Sequence, residues 1–181
     1  GETVFQRRFD AETVRKTAEY FFNHRECWCV FEGLKTNYII PNAGYVVREG
    51  RQIELKSVDD LSLFVEGEEI QVIAAGPQVP DEFMQMLDDK MSFFVMRTYV
   101  DFVIKGCSKA NGIAKAIEIS GIERANTIAI GDSSNDLEMF EYAGISVAMG
   151  NSQPHVFEMA DYVTDTAENS GVAKAIKKFL L

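Results

Sequence analysis

Short apolar runs and longer apolar stripes alternate along the first hundred residues. Three runs have the length and composition of β-strands: CWCVFEG at 27–33, IQVIAAG at 70–76 and MSFFVMRTYVDFVIKG at 91–106. Apolar residues at helical spacing predict helices over residues 10–22, within residues 58–69 and after Pro80. The first helix begins at Asp10, a residue type that caps helices. The pattern predicts a mixed α/β segment rich in strands.

Beyond Lys105 the pattern changes to a regular alternation of helical stripes and short strands. A buried strand is predicted over residues 127–130, and further strands in ISVAMG and DYVT. Such alternation is typical of right-handed crossovers and a parallel sheet. We therefore expect two modules, residues 1–100 and residues 101–181. The helical stripes of the second module are Ala110, Ile113, Ala114 and Ile117 near its start, and Val172, Ala175, Ile176, Phe179 and Leu180 at its end.

The composition is that of a globular protein with an acidic surface. Apolar residues make up 46% of the chain, which is enough to build a core, and the formal net charge is -10. This charge argues against a nucleic-acid partner, because phosphate backbones are bound by clustered Lys and Arg. No apolar run is long enough to span a bilayer, and no basic leader precedes one. We expect a cytoplasmic protein with no membrane partner, in which Cys27, Cys29 and Cys107 are reduced thiols.

The segment IGDSSND at residues 130–136 follows the predicted buried strand and precedes a predicted helix. Asp132 would lie at the carboxyl end of the strand and Asp136 in the first helical turn, which is where open α/β sheets bind their ligands. Two carboxylates so close together repel each other unless a cation is present. A hard divalent ion such as Mg²⁺, bound by few protein oxygens, would relieve that repulsion.

From Tyr99 onward the sequence resembles the haloacid dehalogenase superfamily, and within it the Cof-type branch of capped sugar-phosphate phosphatases. The family's K-x-x-G element is matched by Lys109 and Gly112, and its GDxxND element by GDSSND. The closing order VAMGN, ADYVT and GVAKAI also fits. The resemblance implies an α/β fold: a haloacid dehalogenase-like Rossmannoid parallel sheet in residues 101–181, and an inserted α/β cap domain in residues 1–100.

The resemblance also implies roles for four residues and a cofactor. Asp132 and Asp136 would be magnesium residues, with Asp136 also counted as catalytic. Lys109 would be catalytic by neutralising the phosphoryl group, and Lys109 and Asn135 would bind phosphate. The implied reaction is Mg²⁺-dependent hydrolysis of small phosphomonoesters, with sugar phosphates as the expected substrates selected by the cap. Charge compensation by a metal and a lysine suits phosphoryl transfer, which depends mainly on positioning and electrostatics.

One element of the family is missing from these 181 residues. The family forms an aspartyl-phosphate on an aspartate of an amino-terminal DxDGT motif, and no such motif occurs here. The nearest match is FDAET at residues 9–13, but Asp10 precedes a helical stripe and is interpreted as a helix cap. We therefore expect a fragment of a longer phosphatase that is inactive alone. Strand 127–130 would have an open edge, suited to a missing amino-terminal segment or to self-association.

Other interpretations of the same residues stay open. The two aspartates could be a solvated acidic turn, Lys109 a surface lysine and Asn135 a helix cap. The rival function is a non-catalytic module that binds Mg²⁺ or a phosphorylated ligand, or serves as a partner domain. A phosphomutase is disfavoured because nothing marks a second phosphate site. His24 and His155 are interpreted as surface residues.

Overall fold

The computed structural model describes residues 6–42, 51–62, 70–86 and 89–181. The chain divides into two compact units, Gly1–Cys107 and Ser108–Leu181. The predicted boundary lay between residues 100 and 101, and the division lies later because the strand Val100–Ile104 pairs within the sheet of the first unit. The functional labels of cap and core half remain predictions for these two units.

The first unit contains a six-stranded sheet, with helices between some of its strands in chain order and one helix before the first strand. The strands are β1 (Trp28–Glu32), β2 (Asn37–Ile40), β3 (Gln52–Glu54), β4 (Val72–Gly76), β5 (Met91–Val95) and β6 (Val100–Ile104). The helices are α1 (Ala11–Asn23) and α2 (Asp81–Met86), with a 3₁₀ turn at Val58–Leu61. The spatial order is β3-β2-β1-β4-β6-β5, and the pairs are antiparallel except for β2 with β3. A helix was predicted within residues 58–69. Its part beyond Ser62 lies outside the described residues.

Helix α1 follows directly from its sequence. Asp10 is its N-cap, and one carboxylate oxygen accepts a hydrogen bond from the backbone N of Thr13 at 2.8 Å. Val14, Ala18 and Phe21 lie four or three residues apart and are buried in the same core as the sheet. The prediction of a capped helix is therefore confirmed. Aromatic rings join this core at Phe21, Phe83 and Phe102.

The second unit is built from a three-stranded parallel sheet with helices between the strands. Its strands are β7 (Ile128–Gly131), β8 (Ile145–Ala148) and β9 (Tyr162–Val163), in that spatial order. Its helices are α3 (Lys109–Ser120), α4 (Leu137–Tyr142), α5 (Pro154–Glu158) and α6 (Gly171–Leu180). The predicted alternation and parallel pairing are confirmed, and they place the carboxyl ends of β7 and β8 side by side.

Burial in the second unit differs from the prediction. Strand β7 was expected to be buried on both faces, but Ile128 and Ile130 are only partly buried while Ala129 is buried. The prediction of burial was wrong because the face that carries Ile128 and Ile130 is incompletely covered, whereas the predicted edge position agrees with the sheet order, in which β7 pairs only with β8 among the described strands. Helix α3 contains no fully buried residue, and the apolar residues Val172 and Ile176 of α6 are 46% and 40% exposed.

Two remaining sequence interpretations concern the thiols and the membrane. Cys27 and Cys29 are buried in the core of the first unit, and burial raises the pKa of both thiols. Cys27, Cys29 and Cys107 are all free thiols. Within the described ranges, no helix combines the length and apolar character that crossing a bilayer requires.

Candidate functional site

The acidic loop leaves the sheet at Gly131, the last residue of β7. Ser133 caps the 3₁₀ turn Ser134–Asp136, and the Asp136 side chain accepts back from the loop amides in a capping box. A Cβ atom on residue 131 would lie 2.5 Å from the Asp136 carboxylate carbon. The loop therefore requires glycine here, because any side chain would displace Asp136.

Asp136 is the buried centre of the site. Its side chain is 3% exposed. One carboxylate oxygen, Oδ2, accepts hydrogen bonds from the backbone N of Asp132 at 2.8 Å and of Ser133 at 3.0 Å. The other oxygen, Oδ1, lies 2.5 Å from the ammonium Nζ of Lys109. Asp136 thus fixes both the loop backbone and the lysine.

Lys109 is brought to the loop by helix α3, of which it is the first residue. Ser108 caps that helix, and its backbone N donates to Asn111 Oδ1 at 2.7 Å. The ammonium of Lys109 also donates to Asn135 Oδ1 at 3.2 Å. Two of its three N–H donors are therefore used within the loop. The side chain remains 50% exposed, so the cation is anchored on the acidic loop and still reaches solvent.

Asp132 presents the outward carboxylate of the loop. The residue is exposed, in contrast to Asp136. Its Oδ1 accepts from the hydroxyl of Ser133 at 3.0 Å, and its Oδ2 accepts from the amide Nδ2 of Asn151 at 3.3 Å. Both donors are uncharged, so the negative charge of Asp132 is oriented without being neutralised.

The structure brings all four predicted site residues into one place: Lys109, Asp132, Asn135 and Asp136 lie within a single hydrogen-bonded cluster. The roles assigned to them remain predictions.

Asn151 and His155 complete this edge and were given no role from sequence. Asn151 follows β8, whose carboxyl end lies beside that of β7, so parallel pairing of the two strands could have indicated its position. His155 is exposed, as predicted, but its ring Nε2 lies 2.9 Å from Ser134 Oγ, at the margin of the acidic loop.

The donor chemistry of this loop fits Mg²⁺. The available atoms are carboxylate, hydroxyl and amide oxygens, which hard cations prefer. The described residues contain no cluster of three or more His, Cys, Asp or Glu side chains suited to a metal. Mg²⁺ does not require one, because it retains waters and shares substrate phosphate oxygens beside one or two carboxylates. Asp132 would be the direct ligand, while Asp136, with both oxygens hydrogen-bonded, would act next to it.

A second loop borders the site after β9. Asp165 accepts from Lys174 Nζ at 2.6 Å, from the backbone N of Thr166 at 2.8 Å and from Asn169 Nδ2 at 3.1 Å. The hydrogen bond from Lys174 is the largest cause that lowers the pKa of Asp165 to about 2. Asp165 is therefore ionised at neutral pH and fixes the shape of its loop.

Comparison with known proteins gives concordant results. YkrA of Bacillus subtilis, classed as a candidate phosphatase, is 38% identical over 152 residues, which cover 82% of this chain and 52% of YkrA. The 5-amino-6-(5-phospho-D-ribitylamino)uracil phosphatase YcsE of the same organism is 46% identical over 84 residues, covering 46% of this chain and 34% of YcsE. The chain thus spans about half the length, or less, of these curated relatives.

A solved structure shows the same fold. A haloacid dehalogenase-like hydrolase from Bacteroides thetaiotaomicron matches 98% of this chain and 70% of its own length, with a TM-score of 0.79 and 25% sequence identity. The expected α/β class with a Rossmannoid parallel sheet is confirmed by this match. The sequence profile of the haloacid dehalogenase-like hydrolases matches residues 1–176. The chain belongs to this family of haloacid dehalogenase-like hydrolases.

Proposed function

We propose that this chain carries the metal- and phosphate-binding part of a Mg²⁺-dependent phosphatase that hydrolyses small phosphomonoesters, with sugar phosphates as the substrate class. The observation that carries the proposal is the ammonium of Lys109, 2.5 Å from Asp136 and half exposed beside the outward carboxylate of Asp132. A fixed cation on the same loop as an outward carboxylate that no cation neutralises, at the carboxyl edge of a parallel sheet, suits an anionic substrate and a divalent ion. Family membership supports the reaction class.

Each residue has a distinct part in this proposal. Lys109 binds the transferring phosphoryl oxygens and offsets their charge, while Asp136 fixes the lysine and the loop amides. Asn135 orients the lysine through its side-chain oxygen. Asp132 would bind Mg²⁺, which when bound supplies Lewis-acid polarisation of the phosphoryl group. The chain's own contribution is a site whose charges are placed before substrate arrives.

The attacking nucleophile is proposed to lie outside these 181 residues. The family's DxDGT motif does not occur in the sequence. Asp10 of FDAET is used as a helix cap, accepting from the backbone N and the hydroxyl of Thr13 at 2.8 and 2.9 Å. We therefore expect the chain alone to bind metal and phosphate without turning over substrate.

Substrate selection is proposed for the first unit, in keeping with its predicted role as a cap. The relatives supply the substrate class: YcsE is by name a phosphatase of a phosphoribityl compound. We also propose a cytoplasmic location, consistent with three free thiols. The edge of β7 that no described strand covers is the proposed site for an amino-terminal segment or for self-association.

The experiment is phosphate release from a panel of hexose and pentose phosphates, with Mg²⁺ and with chelator. It compares the 181-residue chain with a version extended by an amino-terminal half that contains a DxDGT motif. We expect no release from the chain and Mg²⁺-dependent release from the extended protein, lost in Asp132→Asn and reduced in Lys109→Met. Retained activity of Asp132→Asn would contradict the proposal.

The rival function, a non-catalytic binding module, is favoured by the absence of the nucleophile motif from the sequence. Calorimetry with a sugar phosphate and Mg²⁺ separates the two. A binding module should bind the sugar phosphate tightly with this chain alone. An incomplete part of a phosphatase should bind inorganic phosphate weakly and should bind a sugar phosphate little better than inorganic phosphate.

A further inference from the structure

We propose that Asn151 is a positioning residue that orients the carboxylate of Asp132 toward a divalent cation. Its side chain joins two loops from neighbouring strands: Nδ2 donates to Asp132 Oδ2 at 3.3 Å, and Oδ1 accepts from the backbone N of Ala167 at 3.1 Å. This inference rests on the proposed function, because it concerns the same metal-binding loop, and it assigns a task to a residue outside the GDSSND segment.

The orientation of the Asn151 amide is fixed by its partner on the second loop. A backbone N–H can only donate, so the side-chain oxygen must face Ala167. The amide nitrogen then faces Asp132, whose carboxylate oxygen accepts its hydrogen bond. The two bonds specify one amide orientation, and in it a neutral donor points at the outward carboxylate.

The loop that carries Ala167 is held by hydrogen bonds of its own. Asp165 closes it through Lys174, Asn169 and Thr166, as described above. The backbone N of Gly150 donates to the carbonyl of Asp165 at 3.1 Å, which joins the segment before Asn151 to the same loop. A Cβ on residue 150 would lie 2.9 Å from the backbone N of Thr166. The loop around Ala167 is therefore joined to the segment of Asn151 twice, through the backbone N of Gly150 and through the Asn151 side chain.

The consequence concerns Asp132. An exposed aspartate on a loop ordinarily samples several side-chain conformations, and ordering it on metal binding costs free energy. Here Ser133 donates to one oxygen and Asn151 to the other, so the carboxylate is already ordered. Each carboxylate oxygen has a second lone pair, which leaves capacity for a cation. Partners of this kind typically change metal affinity about 10–100-fold when removed.

The first test measures Mn²⁺ binding by electron paramagnetic resonance of the free ion, using the 181-residue chain, Asn151→Ala and Asn126→Ala. Asn126 is an exposed asparagine of the same unit and serves as the matched control. We expect the Kd to rise about 10-fold in Asn151→Ala and to stay within about twofold in the control. A rise of less than about threefold in Asn151→Ala would overturn the inference.

The second test uses only the unaltered chain, so its result does not depend on whether a variant folds. In ¹H–¹⁵N spectra of the unaltered chain titrated with Mg²⁺, the side-chain NH₂ of Asn151 should shift with the same midpoint as the backbone amides of Asp132 and Ser133. Backbone shifts without a shift of that NH₂ group would mean that Asn151 only anchors its loop, and would refute the positioning role. Absence of any Mg²⁺-dependent shift, together with absence of Mn²⁺ binding, would instead refute the metal site of the proposed function, and the inference with it.

Discussion

The two units differ in where their free energy and their chemistry lie. In the first unit the largest fully buried side chains include four phenylalanines, at positions 21, 31, 83 and 102. In the second unit the largest are two valines, Val147 and Val156. The buried group that distinguishes the second unit is a charged one, Asp136, whose partners are Lys109 and two backbone amides. Hydrophobic burial thus specifies the first unit, and a polar network specifies much of the second.

The difference shows how a sheet can be organised around a hydrogen-bonded polar loop rather than a large core. Helix α3 brings no fully buried residue, yet it places Lys109 on the acidic loop. Apolar residues of α6, among them Val172 and Ile176, remain partly exposed to solvent. Removing one member of a buried polar network leaves its partner unpaired, which costs more free energy than the hydrogen bond itself contributes. The stability of the second unit should therefore depend more on changes of charge than that of the first unit does.

The largest expected effect is on the core of the first unit. Replacing Phe21 by Ala removes a ring with no exposed surface that packs against Phe83, and should lower the free energy of unfolding by about 3–5 kcal/mol. Urea unfolding followed by the fluorescence of Trp28, the single tryptophan, measures this unit directly. Phe93→Ala is the control, because that ring is 45% exposed and its loss should cost far less. Equal losses for the two variants would contradict the assignment of the core.

The next effect tests the polar network of the second unit. Asp136→Asn replaces one acceptor oxygen by an NH₂ group, which must then face either the Lys109 ammonium or the two loop amides. The mismatch should cost about 1–3 kcal/mol. Thermal unfolding followed through backbone amides of β7 and β8 by NMR measures it. Glu138→Gln removes one negative charge from an exposed position close by and should leave stability nearly unchanged. An equally stable Asp136→Asn would show that the network does not support the unit.

A smaller effect of opposite sign is expected in α3. Gly112 lies inside this helix, and a Cβ there would meet nothing within 4 Å. Gly112→Ala should therefore raise the free energy of unfolding by about 0.5–1 kcal/mol through its higher helix propensity. Gly131→Ala, where the added Cβ would meet Asp136, is the contrasting variant and should be destabilising. Loss of stability in Gly112→Ala would show that the added Cβ meets a neighbouring group, and would contradict the open surroundings of this position.

The smallest effect concerns acid stability. Lys174 and the neighbouring amides lower the pKa of Asp165 from 3.8 to about 2. A depressed carboxyl pKa contributes stability that is present above the ordinary value and is lost as the pH falls through the folded value. The second unit should therefore lose this contribution between about pH 4 and pH 2. Thermal melts across that range should show a shallower pH slope for Asp165→Asn than for the unaltered chain, and identical slopes would contradict the assignment.

Much of this molecule could be predicted from local pattern. The cap at Asp10, the stripe of α1 and the alternation that gives β7, β8 and β9 are short-range signals, and the structure confirms them. The acidic loop was predictable because Gly131 and two aspartates directly follow a strand. The clustering of Lys109 with Asp136, 27 residues apart, was expected only from the family resemblance.

What could not be predicted depends on neighbours distant in sequence. The burial of Ile128 and Ile130 depends on what lies beside β7, which its own sequence does not state. The run at residues 91–106 was recognised as strand material, but the boundary predicted after residue 100 cuts through Val100–Ile104, because the pairing of this strand with β4 and β5 cannot be read from its residues. Asn151 was passed over because its partners, Asp132 and Ala167, lie 19 and 16 residues away in sequence.

The most direct test of the central claim is the location of a bound divalent cation. Crystals of the chain grown with Mn²⁺ and inorganic phosphate would reveal the metal by its anomalous scattering. We predict a peak about 2.0–2.2 Å from a carboxylate oxygen of Asp132, with phosphate between that metal and the Lys109 ammonium. A metal bound elsewhere, with the Asp132 carboxylate unliganded at saturating Mn²⁺, would contradict the account.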